Sequence, residues 1–200
     1  MSYKTFRFIT LSLVALLLTA CGSTVQPKYY LLTPAPGTAA GGDQKPLQIS
    51  VGPVTLPAYL DRSQIVTRHG VSELELADAH RWAEPLQKNF SAILAENLRQ
   101  QLRQAVVSVY PAADPAAVDY RVTLDVVRFD TDDQGAAVLI ADWGVLDGNR
   151  QPILSSRRSR YTAEFSAASG YAGRVAALSD TVAQLGRDVA AAITELNKTH

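Results

Sequence analysis

Two periodicities divide the chain. Leu47-Gln48-Ile49-Ser50-Val51 alternates apolar with polar and predicts a half-buried strand. Gln64-Ile65-Val66-Thr67-Arg68 and Ser72-Glu73-Leu74-Glu75-Leu76 predict two more, joined through a His69-Gly70 turn as a hairpin. Between them, Gly52, Pro53 and Pro57 forbid helix and force extended or turned backbone. From Pro85 the period changes to that of a helix. Leu86, Phe90, Ile93, Leu94, Asn97, Leu98 and Leu102 share one face, and Glu84 and Pro85 suit its start. Val106 to Tyr110 is a short strand ended by Pro111, followed by a loop from Ala112 to Val118. Tyr120, Val122, Leu124 and Val126 alternate with polar residues. The phase then slips to Val127 and Phe129, which predicts a bulge.

Asp130 to Gly135 reads as a hairpin loop, Ala136 to Leu146 as a central strand apolar on both faces, and Asp147-Gly148-Asn149-Arg150 as a tight turn. Ile153 to Phe165 is the partner strand. Tyr171 to Leu196 is a second helix with Ser169 as its candidate cap, and Val175, Leu178, Val182, Leu185, Val189, Ile193 and Leu196 form its stripe. Hairpins plus two amphipathic helices predict an α+β fold: a mostly antiparallel sheet of about six to seven strands with both helices packed on one face.

The amino-terminal pattern is of another kind. Lys4 and Arg7 precede an apolar run from Phe8 to Leu18. That is a charged region followed by a hydrophobic region of secretory-signal length, too short for a bilayer span of about 20 residues. Leu18-Thr19-Ala20-Cys21 then places small residues before the only cysteine in the chain. This pattern resembles the lipobox of bacterial lipoproteins, in which the cysteine thiol is alkylated by a diacylglyceryl group and the preceding peptide is cut. The expected domains are a signal peptide at 1–20 cleaved between Ala20 and Cys21, a lipidated flexible tether at 21–46, and one α+β domain at 47–200. The tether is rich in Pro and Gly and, fully extended, reaches on the order of 80 Å. It contains Lys28-Tyr29-Tyr30-Leu31-Leu32, a short edge strand. Gly22 follows the cysteine where an Asp would favour inner-membrane retention, so the expected address is the periplasmic face of the outer membrane.

Composition narrows the function. The chain has 47% hydrophobic and 19% charged residues, a globular balance, and 19 basic against 19 acidic side chains. Loss of Lys4 and Arg7 leaves 17 against 19, with no basic excess for nucleic acid. Arg157-Arg158-Ser159-Arg160 is the densest basic stretch and reads as a solvated strand face rather than an anion site. A single cysteine permits no intramolecular disulfide. His69, His80 and His200 have no metal-ligand spacing, so no metal site and no cofactor beyond the covalent lipid on Cys21 are expected. Asp78-Ala79-His80 reads as a solvated loop. Asp130, Asp132, Gln134 and Gly135 mimic a calcium loop, but Ala141 stands where the bidentate Glu is needed. Ser169-Gly170-Tyr171-Ala172-Gly173 lacks the glycine before the serine that a nucleophile elbow needs.

With no catalytic constellation, the unusual stretch is Pro57 to Arg62 with Arg81-Trp82. Tyr59, Leu60 and Trp82 are large groups flanked by Asp61, Arg62 and Arg81, the residue types of interface hot spots. The same residues read equally well as the finish of a core, with Asp61 and Arg62 capping a turn.

The lipobox, the Lys28–Leu32 run, the stretch from Ile49 through Val51-Gly52-Pro53-Val54-Thr55-Leu56-Pro57-Ala58-Tyr59-Leu60-Asp61-Arg62 to Arg68, and Arg81-Trp82-Ala83-Glu84-Pro85-Leu86 together resemble the PqiC (YmbA-like) family of ABC-type or MCE-type transport auxiliary lipoproteins. The resemblance implies a non-enzymatic outer-membrane lipoprotein. Its partners would be an MCE-domain conduit protein and that protein's inner-membrane partner, with a ring-like homo-oligomer as its assembly. Two other readings stay open: a pilotin-like or LptE-like assembly factor, and an envelope hydrolase.

Overall fold

A computed structural model describes residues 26–37 and 46–199. The Leu18–Cys21 motif, the segment ahead of it and His200 lie outside the described residues. The strands are β1 (Lys28–Tyr30), β2 (Gln48–Thr55), β3 (Gln64–His69), β4 (Glu73–Trp82), β5 (Val106–Val109), β6 (Tyr120–Asp132), β7 (Ala136–Asp147) and β8 (Pro152–Glu164). The helices are α1 (Leu86–Gln101) and α2 (Gly170–Thr199), with short 3-10 turns at Ala58–Leu60, Pro115–Ala117 and Ala167–Ser169. The fold is α+β, as the periodicities predict.

β6 is the axis. Along one edge it pairs antiparallel with β7, which pairs antiparallel with β8. Its other edge is shared by two strands laid end to end. β2 runs parallel to its first half, with Ile49 opposite Tyr120 and Thr55 opposite Asp125. β3 runs parallel to its last residues, with Thr67 opposite Thr131. β5 then adds parallel to β2, while β4 adds antiparallel to β3 and β1 parallel to β4. The eight-stranded sheet is therefore mixed rather than mostly antiparallel. Local pattern specifies that a strand forms but not which neighbour it takes, and these parallel pairs join residues far apart in sequence.

The inner face is the core. Val122, Leu124 and Val126 of β6 and Leu139, Ala141, Trp143 and Val145 of β7 are buried. Phe90 of α1 meets Phe129 edge-on, with ring centroids 5.2 Å apart. The α2 stripe from Val175 to Ile193 is buried with them, while Leu196 is half-buried. The predicted bulge is present as a register shift between Val126 and Arg128, and it lets Phe129 return to the inner face. Gly52 lies inside β2 at φ 119°, and a Cβ there would stand 2.9 Å from Tyr110 Cβ. β2 thus continues through Gly52-Pro53 instead of ending at Val51, because the glycine accepts the backbone conformation other residues avoid.

Four further expectations are corrected. β4 runs on to Trp82, so His80 sits in a strand, not a solvated loop. Asp130 lies inside β6; only Asp132 serves the hairpin turn, accepting from Gln134 N and Ala136 N. Ser169 ends the turn ahead of α2 without capping it: its hydroxyl donates to Ser166 O, and no α2 amide among the described residues donates to it. Residues 28–37 are docked rather than tether-like. Leu32 is buried, and three side chains hold the backbone beyond β1. Asn89 Oδ1 accepts from Leu32 N at 2.7 Å, Ser179 Oγ from Thr33 N at 3.1 Å, and Asn97 Oδ1 from Ala35 N at 3.0 Å. The segment is a strap across α1 and α2.

Candidate functional site

The sharing of β6 by two collinear strands creates the site. From the Thr55–Asp125 pair to the Thr67–Thr131 pair the outer chain uses twelve residues where β6 uses six. The surplus leaves the sheet as an excursion. Pro57, extended at ψ 146°, starts a single 3-10 turn in which Leu60 N donates to Pro57 O at 2.9 Å and Asp61 N to Ala58 O at 3.2 Å. Pro57 and a tight turn give this loop a fixed shape at low conformational cost.

Asp130 anchors the excursion from beneath. Its side chain is fully buried. Oδ2 accepts from Arg68 Nη2 at 2.8 Å, Arg68 Nε at 3.1 Å and Tyr59 Oη at 3.2 Å; Oδ1 accepts from Arg128 Nε at 2.7 Å. Two guanidiniums and a phenol satisfy a carboxylate that burial alone would penalise. Burial pushes the Tyr59 phenol up, and the Asp130 charge adds to the effect. The hydrogen bond to Asp130 raises Arg68 in turn. The Arg68 guanidinium also lies 5.9 Å from the Tyr59 ring centroid.

The residues singled out in the sequence separate into two layers. Leu60 and Trp82 are core residues, 3% and 6% exposed, and Trp82 N ties β4 to the excursion by donating to Ser63 O at 2.7 Å. Asp61 and Arg62 are exposed, while Pro57, Tyr59 and Arg81 are half-buried. The outward layer is therefore Pro57, Tyr59, Asp61, Arg62 and Arg81, and the core reading holds for Leu60 and Trp82. Arg81 stands opposite Gln64 of β3 and Tyr29 of β1, joining this surface to the strap.

Sequence reasoning missed Asp130 and the strap's side-chain holders. The signal for the holders was present: Asn97 sits on the apolar stripe of α1, where a buried amide must find a backbone partner. Asp130 carried no such signal, being one of a run of acidic residues.

The remaining candidates have structural partners. His69 Nε2 is 2.6 Å from Glu75 and its Nδ1 3.5 Å from Asp133, which raise its pKa. His80 stacks on Tyr171 at 3.8 Å, with its Nδ1 2.8 Å from Tyr30 Oη. Burial lowers its pKa, with Lys28 contributing. Arg158 pairs with Asp142 at 2.7 Å, and Arg157 lies over Trp143 at 4.2 Å. Among the described residues, no cluster of His, Cys, Asp and Glu is placed to hold a metal, and no helix is long and apolar enough to cross a membrane.

Residues 29–190 match the model of the family described as the ABC-type transport auxiliary lipoprotein component. No curated protein matches. Two solved structures share the fold. One, an uncharacterized protein, is 24% identical with TM-score 0.70, covering 84% of this chain and 99% of that one. The other, protein XCC0632 from Xanthomonas campestris, of family DUF330, is 18% identical with TM-score 0.65, covering 86% and 99%. The match runs from the strap through most of α2, and on it the chain belongs to the ABC-type transport auxiliary lipoprotein family.

Proposed function

We propose that the chain is a non-catalytic, lipid-anchored subunit of an MCE-type intermembrane lipid transport system. It is held on the periplasmic face of the outer membrane, where it docks the end of a periplasm-spanning conduit. The observation that carries the reading is the family match over residues 29–190, which makes the chain an auxiliary lipoprotein component of transport. The Leu18–Cys21 motif supports it by supplying the acylated residue, Cys21. Two or more acyl chains give lasting attachment, at about 0.8 kcal/mol per buried methylene. The partner-facing surface is Pro57, Tyr59, Asp61 and Arg62 of the rigid excursion with Arg81 of β4 beside it; Asp61 and Arg62 are turned outward, and Tyr59 shows one side while its hydroxyl holds Asp130. A ring of like subunits is the assembly that would let several such surfaces grip one conduit.

The test is purification of the chain from native membranes through a carboxy-terminal tag. An MCE-domain protein should co-purify, and the mass of the amino-terminal peptide should show acylated Cys21. Capture of an outer-membrane channel without an MCE protein would favour an assembly-factor role. Turnover of lipid or peptidoglycan, abolished by one Ser or His change, would establish an enzyme.

A further inference from the structure

Among the described residues, exposed large apolar side chains fall into two groups. Tyr29, Leu31, Val71 and Leu76 lie along β1, β4 and the tip of the β3–β4 hairpin, at 61%, 46%, 94% and 39% exposure. Val106, Val109 and Tyr110 lie on and beside β5, at the other end of the strand order, with Val127 of β6 standing apart. The chain itself distinguishes the two edges. Seven residue steps separate Cys21 from Lys28, a reach of about 25 Å at full extension. β1 and the strap fix residues 28–35 to the body. A body of this size is about 40 Å across, so an acylated Cys21 cannot lie beside an arbitrary face. Moreover, β1 runs parallel to β4 from Lys28 opposite His80, so its first residue is the one nearest the hairpin tip that carries Val71.

We propose that this rim, Tyr29, Leu31, Leu76 and Val71, lies against the lipid surface and fixes the tilt of the domain on its anchor. The proposal rests on acylation of Cys21. The chemistry of the rim fits zwitterionic headgroups: Glu73, Glu75 and Asp78 lie along β4 toward the hairpin tip and Arg81 and Lys28 at its other end, so both signs are present beside a tyrosine and aliphatic groups suited to the interface. The strap then has a mechanical role. It converts a tether of some 25 residues into a short leash that holds the Pro57–Arg62 surface at a set height.

The experiment uses the full chain, purified with its acyl chains and reconstituted in phosphatidylcholine–phosphatidylethanolamine vesicles. Single variants Leu31→Cys, Val71→Cys and Val106→Cys carry a nitroxide, the native thiol being blocked by lipid. Collision with oxygen should exceed collision with a water-soluble nickel complex at positions 31 and 71, and the order should reverse at 106. Nickel access at 31 and 71 equal to that at 106 overturns the proposal. So does loss of both collisions at 31 and 71, which marks a protein contact, such as a second copy on the free edge of β1. Mass analysis of the amino-terminal peptide distinguishes the failures: an unacylated Cys21 sinks the anchoring reading, whereas an acylated protein with a water-exposed rim sinks only this one.

Discussion

Replacing Asp130 should loosen the proposed docking surface before it unfolds the domain. The carboxylate is fully buried and joins three residues, Arg68 of β3, Arg128 of β6 and Tyr59 of the excursion. Removing one member of a buried ion pair costs roughly 3–5 kcal/mol, because the partner charge is left without compensation. Here the partners can recover water, since the Arg68 and Arg128 side chains are 16% and 22% exposed. That places Asp130→Ala near the lower end, at about 3 kcal/mol, or on the order of a hundredfold in the folding equilibrium. Asp130→Asn keeps the volume and one acceptor oxygen but loses the charge that strengthens its bonds to both arginines, and should cost about 1.5–2 kcal/mol. Urea unfolding followed by tryptophan fluorescence measures both, with the m-value unchanged. Native-state amide exchange should show residues 56–66 accelerated more than β7 and β8. Variants within about 0.5 kcal/mol of the parent, or exchange that rises uniformly, would refute the assignment of Asp130 as the anchor of the excursion.

Three more outcomes follow from the same geometry. Leu32→Ala and Asn89→Ala each weaken the strap, by about 2 and about 1 kcal/mol, because one loses buried apolar volume and the other orphans the Leu32 N–H. Limited proteolysis should then cut within residues 30–37 while the rest of the domain stays intact; unchanged resistance in both variants contradicts the latch. His69 should titrate above the ordinary value of about 6.5, because Glu75 and then Asp133 stabilise its protonated form. Its contribution to stability is therefore full below about pH 6.5 and fades as pH rises through the folded value. The difference between parent and His69→Ala should shrink from pH 6 to pH 9, and a difference that grows rules the pairing out. Conversely, burial keeps His80 neutral, so the Tyr30–His80–Tyr171 cluster should weaken as pH falls below about 6.5, visible as faster exchange of the β1 amides.

The elements themselves were legible in the chain. Both helices, the hairpins and the bulge after Val126 follow from periodicity, because a buried face must repeat at the period of its backbone. What was not legible is long-range. Nothing local marks β2 and β3 as two strands sharing one edge of β6, and that arrangement produces both the mixed sheet and the excursion. β4 was cut short because its register against β3 shifts between Val66 and Gln64, which breaks the alternation before Trp82. The strap looked like linker because Pro34, Pro36 and Gly37 have linker composition, yet its backbone is held by side chains from α1 and α2, which composition cannot reveal. Of the suspected surface, the residue types were readable but the layering was not: Leu60 and Trp82 turned inward, Asp61 and Arg62 outward. Asp130 was hidden among Asp132 and Asp133, because only the fold brings Arg68 to it.

In the proposed role, the excursion receives a transport conduit at the membrane. A photo-crosslinking residue in place of Arg62, in the acylated protein in its native membranes, tests it most directly. An adduct with an MCE-domain protein is expected from position 62 and none from position 155 on the exposed stretch of β8. Adducts with an outer-membrane channel alone, or with the MCE-domain protein from position 155 but not 62, would contradict it.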